Sequence, residues 1–266
     1  MKLTVNISPC PNDTFIFYAL LHGRVETDGV EFSADFADIE RLNSLAISGK
    51  ADIIKVSYAV LPQIAGDYKI LESGGAVGRG NGPLLVARTT DIDLADSTMR
   101  IAVPGLHTTA NLLIDRMYPH LTDRTPMLFS EIADAVADER FDAGVLIHEG
   151  RFTYAERGLQ LVVDLGNEWE RRTALPLPLG AIAVSQRLPA AVQRAIGRMV
   201  AESARYALAH PEEPLEFVQR HAREMSPRVI ENHISLFVNE LSVYIGDEGR
   251  RAVTALTGIG DDIFVK

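Results

Sequence analysis

"KLTVNISPCPNDTFIFYALLHG", residues 2–23, decides the fold. Its first six residues alternate as a β-strand does, and "DTFIFYALLHG" places Ile16, Ala19 and Leu20 at helical spacing, with Gly23 positioned to cap the end. A strand that turns straight into a helix is the repeating step of an α/β fold. The turn itself, "SPCPNDT", is unusual. Pro9 and Pro11 fix φ and stiffen it, while Asn12 or Asp13 is placed to cap the helix that begins near Thr14. Capping accounts for Asp13 but not for two prolines flanking Cys10, so the turn is either plain scaffolding or part of a site.

The step recurs along the chain. "VEFSADFAD" reads as a strand, "IERLNSLAISGK" as a helix, and "ADIIKVS" as a strand running into "YAVLPQIAG". After the strand "GPLLVAR" (82–88) a second set opens with "MRIAVPG", the helix "TTANLLIDRMY", "TPMLFS", the helix "EIADAVADE" and "FDAGVLIHE"; "LQLVVDL" and "LGAIAVS" follow. Beyond Leu188 the pattern is almost purely helical. There Ile230, Ile234, Phe237, Leu241 and Tyr244 trace one apolar face. Two α/β sets and a helical C-terminal segment predict two lobes, with "PLLVAR" and "GAIAVS" as crossover strands. The larger, discontinuous lobe would be 1–88 plus 186–266, and the inserted smaller lobe 89–185. Facing each other across a cleft, they would form the bilobal type II architecture of periplasmic binding proteins, which close on a ligand by a hinge. One continuous doubly wound domain is the alternative.

Composition narrows the function. With 36 acidic against 26 basic residues the formal net charge is -10, which argues against nonspecific binding to nucleic acid or to an anionic membrane surface. Any anionic ligand must therefore be captured locally. No stretch approaches the roughly 20 apolar residues that span a bilayer, and residues 1–30 carry no secretory signal pattern. The single cysteine, Cys10, excludes an internal disulfide and fits a reducing compartment, so a cytoplasmic protein is expected. A homodimer is left open.

In open α/β sheets, ligands bind beyond the carboxyl ends of the strands, so the residues just past each strand are the candidates. Besides Asn12, four places stand out. At the end of "ADIIKVS", Lys55, Val56 and Ser57 precede a helix; Ser57 is a natural N-cap, and the Lys55 ammonium either snorkels outward or meets an anion. In "PGLHTTANLL" (104–113), Pro104 and Gly105 end a strand while Thr108, Thr109 and Ala110 open a helix. Free amides, the helix dipole and threonine hydroxyls suit a carboxylate there. In "FDAGVLIHEGRFTY", His148 ends an apolar strand, where an imidazole can act as an acid or base near neutral pH or serve as a bonded structural residue. Arg79, within "SGGAVGRGNGP", is a candidate for an anionic partner. There is no GxxxxGK[ST], no strand-linked GxGxxG, no HExxH, no CxxC and no GxSxG, so neither a nucleotide phosphate, a metal nor a serine nucleophile has sequence support.

"SPCPNDTFIF", "PGLHTTA", "LIHEGRFTY" and "LPLPLG", in this order from residue 7 to about 184, resemble the 1,4-dihydroxy-6-naphthoate synthases of the futalosine route to menaquinone. The resemblance implies the bilobal fold and a carbon-carbon lyase that works on a small carboxylate, cyclic dehypoxanthinyl futalosine, without metal or organic cofactor. It further implies that His148 is the base and that Lys55 to Ser57, Thr109 and Ala110 touch the substrate. The opening turn would then be one wall of the pocket, with Asn12 offering hydrogen bonds. Rival readings are a chorismate dehydratase on a similar fold, a non-catalytic solute-binding protein, for which an export signal is missing, and an effector domain, for which a helix-turn-helix is missing.

Overall fold

A computed structural model describes residues 1–222 and 226–266. Its strands are β1 (Lys2–Ile7), β2 (Glu31–Phe36), β3 (Ile53–Ser57), β4 (Tyr68–Ile70), β5 (Ala76–Gly78), β6 (Leu84–Ala87), β7 (Ile101–Val103), β8 (Arg124–Pro126), β9 (Ala143–Leu146), β10 (Gln160–Asp164) and β11 (Leu177–Ser185). They build two sheets and two compact units: Met1–Gly78 with Pro178–Lys266, and Arg79–Leu177. The chain therefore passes between units at residues 78/79 and 177/178, not at 88/89 and 185/186. The expected crossover strands each belong to one sheet: β6 pairs with β9 and β10, and β11 pairs with β3, β4 and β5.

The first sheet runs β2-β1-β3-β11-β4, with β5 also on β11. β1 is parallel to β2 and β3, whereas β11 is antiparallel to β3 and β4, so the sheet is mixed. The helix Pro11–Leu21 begins with proline at its first position, where the missing N–H has no intrahelical use. Its N-cap is Cys10 with no side-chain bond, which corrects the expectation that Asn12 or Asp13 caps it. Every residue from Pro11 to Leu20 is buried, so the helix has no solvent face and is sequestered inside the unit. The helix Ala190–Ala209 covers it, and the buried Ser203 hydroxyl donates to the Ile16 carbonyl at 2.6 Å and accepts from the Leu20 N–H at 2.9 Å. Val5, Ile7, Phe17, Ile53, Ile182 and Val200 belong to the core that this packing encloses.

The expected apolar face from Ile230 to Tyr244 is not one helix. The helix Pro227–Phe237 stops, and the Asn239 side chain opens a new short helix, Glu240–Val243, through a capping box with Ser242. Ile230 and Phe237 are buried while Tyr244 is exposed, because the break rotates the later residues off the stripe.

The second sheet runs β10-β6-β9-β7-β8, with β7 parallel to β8 and β9. The helices Thr109–Met117 and Ile132–Ala137 follow β7 and β8, as right-handed crossovers between parallel strands require. Arg151 ties this unit together. Its guanidinium donates to the carbonyls of Gly82 and Gly80 and pairs with Asp164 at 3.3 Å, while Asp164 caps the helix Leu165–Thr173. Here two backbones touch: a Cβ on Gly166 would stand 2.6 Å from both the Cα and the N of Gly82. Neither neighbour is a flexible side-chain tip, so Gly166→Ala should destabilise the protein by about 2 to 3 kcal/mol, the cost of overpacking a rigid contact. Thermal denaturation checks this, and an unchanged midpoint would mean that the two segments separate freely.

Candidate active site

In the first unit the candidates gather at the carboxyl edge of β1 and β3. The organiser is Asp13, which the turn "SPCPNDT" presents from the first helical turn. One carboxylate oxygen accepts from the Ser8 hydroxyl at 2.6 Å and the Ser8 N–H at 3.2 Å; the other accepts from the Asn12 amide at 2.8 Å and the Lys55 ammonium at 2.7 Å. Asp13 and Lys55 are 1% and 4% exposed. The anion that Lys55 meets is therefore internal. β3 pairs antiparallel with β11, with Ile182 opposite Lys55 and Gly180 opposite Ser57. A Cβ on Gly180 would sit 2.9 Å from Lys55 Cε, so the glycine of "LPLPLG" leaves the space through which Lys55 reaches Asp13.

Ser57 precedes a short 3-10 turn but makes no side-chain cap bond. Its hydroxyl accepts from the Asn43 side chain at 3.0 Å and its N–H donates to Asn43 Oδ1 at 2.8 Å. Val56 is buried on the opposite face of β3, where only its backbone lies beside the site. Asn43, wholly buried, and Tyr58, whose phenol pKa burial pushes up, escaped the sequence reading. Asn43 lies mid-helix, where nothing in its type or spacing marks it as a partner of β3.

In the second unit, the parallel strands β8, β7 and β9 end side by side, and the loops after them carry Met127–Phe129, Pro104–Thr108 and Ile147–Glu149. Gly105 adopts φ 139°, a conformation reserved for glycine, and its carbonyl accepts from the Thr108 hydroxyl at 2.8 Å. Thr108 is the N-cap, accepting from the Asn111 N–H at 3.2 Å. Its hydroxyl thus spends its proton inside the loop, which removes it from the donors expected for a carboxylate. The helix that opens at Thr109 turns its N-terminus to this edge, the positive end of its dipole.

His148 has φ 52°, the left-handed region that a non-glycine residue enters only against a steric cost. The Phe129 ring stands edge-on to its imidazole at 4.9 Å between centroids. Leu106 and Leu128 are exposed on the neighbouring loops and supply an apolar surface along the same edge. Phe129, Leu106 and Leu128 were missed because their placement follows from strand order, which the sequence does not print.

Beside His148, Glu149 has its carboxyl pushed up, mainly by burial, against weaker opposing effects from its own N–H and Arg157. Its Oε2 is buried without a hydrogen-bond partner among the described residues. Arg79 turns out to be engaged: it donates to the Ala174 carbonyl at 3.0 Å and faces Glu170 at 3.6 Å, closing the end of the helix Leu165–Thr173. Among the described residues no group of three or more His, Cys, Asp or Glu is placed to hold a metal, and no helix is long and apolar enough to cross a membrane.

Two mixed sheets with strand-edge loops of this kind define a periplasmic-binding-protein-like α/β fold, and solved structures agree. The ligand-binding component of an ABC-type importer from Staphylococcus aureus matches with a TM-score of 0.69 at 13% identity, covering 100% of this chain and 96% of that one. The alkanesulfonate-binding protein SsuA from Xanthomonas axonopodis pv. citri gives 0.67 at 15%, covering 89% and 84%. Likeness at that identity concerns the fold alone. The Menaquinone biosynthesis family model matches residues 3–262, and the chain belongs to that family. Two relatives are named 1,4-dihydroxy-6-naphthoate synthase. The protein from Thermus thermophilus is 47% identical over 254 residues, covering 96% of this chain and 92% of the relative; that from Streptomyces coelicolor is 43% identical over 259 residues, covering 96% and 91%. A solved protein from Archaeoglobus fulgidus matches with a TM-score of 0.88 at 36% identity, covering 96% and 95%. The protein is an enzyme of menaquinone biosynthesis.

The pH behaviour of Glu149 is a direct check on this edge. A carboxyl whose pKa is raised by folding adds stability below its unfolded pKa and loses it as pH climbs through the folded value. Once ionised, the side chain therefore weakens the fold. Glu149→Gln should melt higher than wild type at pH 7, with the gain vanishing near pH 4; equal midpoints at both pH values would show the carboxyl to be fully hydrated.

Proposed function

We propose that the protein converts cyclic dehypoxanthinyl futalosine to 1,4-dihydroxy-6-naphthoate as a carbon-carbon lyase in the cytoplasm, without metal or organic cofactor. His148 removes a proton from the spiro-fused, ribose-derived part of the substrate. The electron pair left behind drives cleavage of a C–C bond, and the second ring becomes aromatic. Aromatisation supplies the driving force, so a base and firm positioning suffice. Thr109 and Ala110 offer helix N-terminal amides to the substrate carboxylate. Phe129, Leu106 and Leu128 flank the ring system, and Asn12, Lys55, Val56 and Ser57 contact its polar remainder.

The observation that carries this reading is the backbone of His148. Left-handed φ costs energy in a residue other than glycine, and of the four such residues among those described His148 is the one whose conformation mounts an imidazole at the carboxyl edge of parallel strands. The buried Cys10 thiol, alone of its kind in the sequence, supports a reducing compartment.

The assay is incubation of the purified protein with cyclic dehypoxanthinyl futalosine, with product followed by mass spectrometry. Wild type should form 1,4-dihydroxy-6-naphthoate with nothing else added. His148→Gly should lower kcat by roughly a hundredfold to ten-thousandfold, the usual worth of a positioned base. It should also melt higher than His148→Ala, since glycine accepts the left-handed φ by about 1 kcal/mol more readily. Full activity in either variant would remove His148 from its role. Binding without product in wild type would leave a solute-binding protein. In the same assay Asn12→Ala should reduce turnover far more than melting temperature; equal loss of both would reduce the opening turn to scaffolding.

A further inference from the structure

Lys55 poses a question that its ion pair does not answer. Its side chain is 6% exposed and its ammonium has three N–H groups, yet among the described residues its hydrogen-bond acceptor is a single oxygen, Asp13 Oδ1 at 2.7 Å. Buried donors are normally matched, and a buried ammonium more strictly than most. Asp13 is the reverse case. Four donors converge on its two oxygens, Ser8 N–H and hydroxyl on one and Asn12 and Lys55 on the other, so its lone pairs are filled and none is left for a ligand. Asn12 gives one amide N–H to Asp13 and, among the described residues, keeps its carbonyl oxygen and second N–H.

We propose that Asp13 is a fixed counter-ion that makes Lys55 a donor to uncharged oxygens, so that the Lys55 and Asn12 pair reads hydroxyl or carbonyl groups of the ligand, and its carboxylate is recognised elsewhere. This rests on the functional reading above and assigns which part of that substrate the first unit holds. The argument is one of charge. A ligand carboxylate at hydrogen-bond distance from the ammonium would lie at roughly twice that distance from the Asp13 carboxylate, whose repulsion cancels about half of the attraction. A neutral oxygen meets no such opposition and still accepts a charge-assisted bond. Gly180 belongs to the same device. Its missing side chain gives Lys55 Cε its place against β11, which fixes the ammonium between Asp13 and the ligand, so Asp13 and Gly180 are positioning residues.

The test is steady-state kinetics on cyclic dehypoxanthinyl futalosine, beside thermal melting, for wild type, Asp13→Asn, Gly180→Ala and the paired variant Asp13→Asn with Lys55→Met. Breaking one partner of a buried pair destabilises, whereas removing both charges together is close to neutral. The paired variant should therefore melt near wild type while kcat/KM falls thirtyfold or more; recovery of both would make the pair a structural relic and overturn the proposal. Asp13→Asn should raise KM, because the ammonium loses its anchor. A lower KM would identify Lys55 as a carboxylate receptor and equally overturn it. If the paired variant does not fold, Gly180→Ala decides: it keeps both charges and displaces the ammonium, so at least a tenfold loss of kcat/KM is expected, and unchanged kinetics refutes the assignment. Failure of the functional reading looks different, since wild type itself would then neither turn over nor bind the compound.

Discussion

The buried pair of Asp13 and Lys55 is the constraint around which the first unit is arranged. Removing two charges from water is expensive, and their attraction repays it only when geometry is good and the remaining polar atoms are matched. Asp13 meets that condition through Asn12, next to it in the chain, and Ser8 at the far end of the stiffened turn. The turn can hold them because the helix behind it cannot shift: Pro11 to Leu20 are buried on every side, and Ser203 bridges the Ile16 carbonyl and the Leu20 N–H. On the other side, β3 must present Lys55 toward the helix, and the register of β3 with β11 must put Gly180 beside it. The motifs "SPCPNDT", "KVS" and "LPLPLG", far apart in the chain, thus describe one object.

The second unit achieves rigidity by backbone conformation instead. Gly105 at φ 139° turns the chain out of β7 into a capped helix, and His148 at φ 52° turns it out of β9. The strands beneath these loops are short, so the loops need their own fastening. Arg151 provides it on one side through Gly80, Gly82 and Asp164; on the other, Asn111 bonds the Leu106 carbonyl at 3.0 Å and accepts from Arg124 at 2.9 Å. These bonds hold the segments that follow Gly105 and His148 in the chain.

What the sequence made legible was periodic or local. Strand-helix alternation, the helical tail and the place of His148 just past a strand all follow from spacing within a few residues. What stayed hidden depends on partners distant in the chain. Arg79 looked available, but Glu170 and Ala174 occupy it from 91 and 95 positions away. Thr108 looked like a ligand donor, yet its hydroxyl donates to the Gly105 carbonyl. Asp13 has the residue type and place of a cap, and only the arrival of Lys55 from β3 makes it a counter-ion. The stripe from Ile230 to Tyr244 kept helical period across a break that Asn239 imposes, because periodicity does not register a change of helix axis.

These engaged cations change how an acidic protein must handle an acidic ligand. Net charge of -10 offers no attraction at a distance, and the basic side chains nearest the candidate edges are already matched: Lys55 with Asp13, Arg79 with Glu170, Arg151 with Asp164. Each such pair is close to neutral from outside. Backbone amides at a helix N-terminus carry partial positive charge without any titratable group, so they hold an anion with no internal carboxylate to compete for them. The helix Thr109–Met117 opens with such a turn, set by a threonine cap whose hydroxyl donates to the Gly105 carbonyl. A carboxylate is therefore better served by peptide dipoles than by a lysine whose charge Asp13 already offsets.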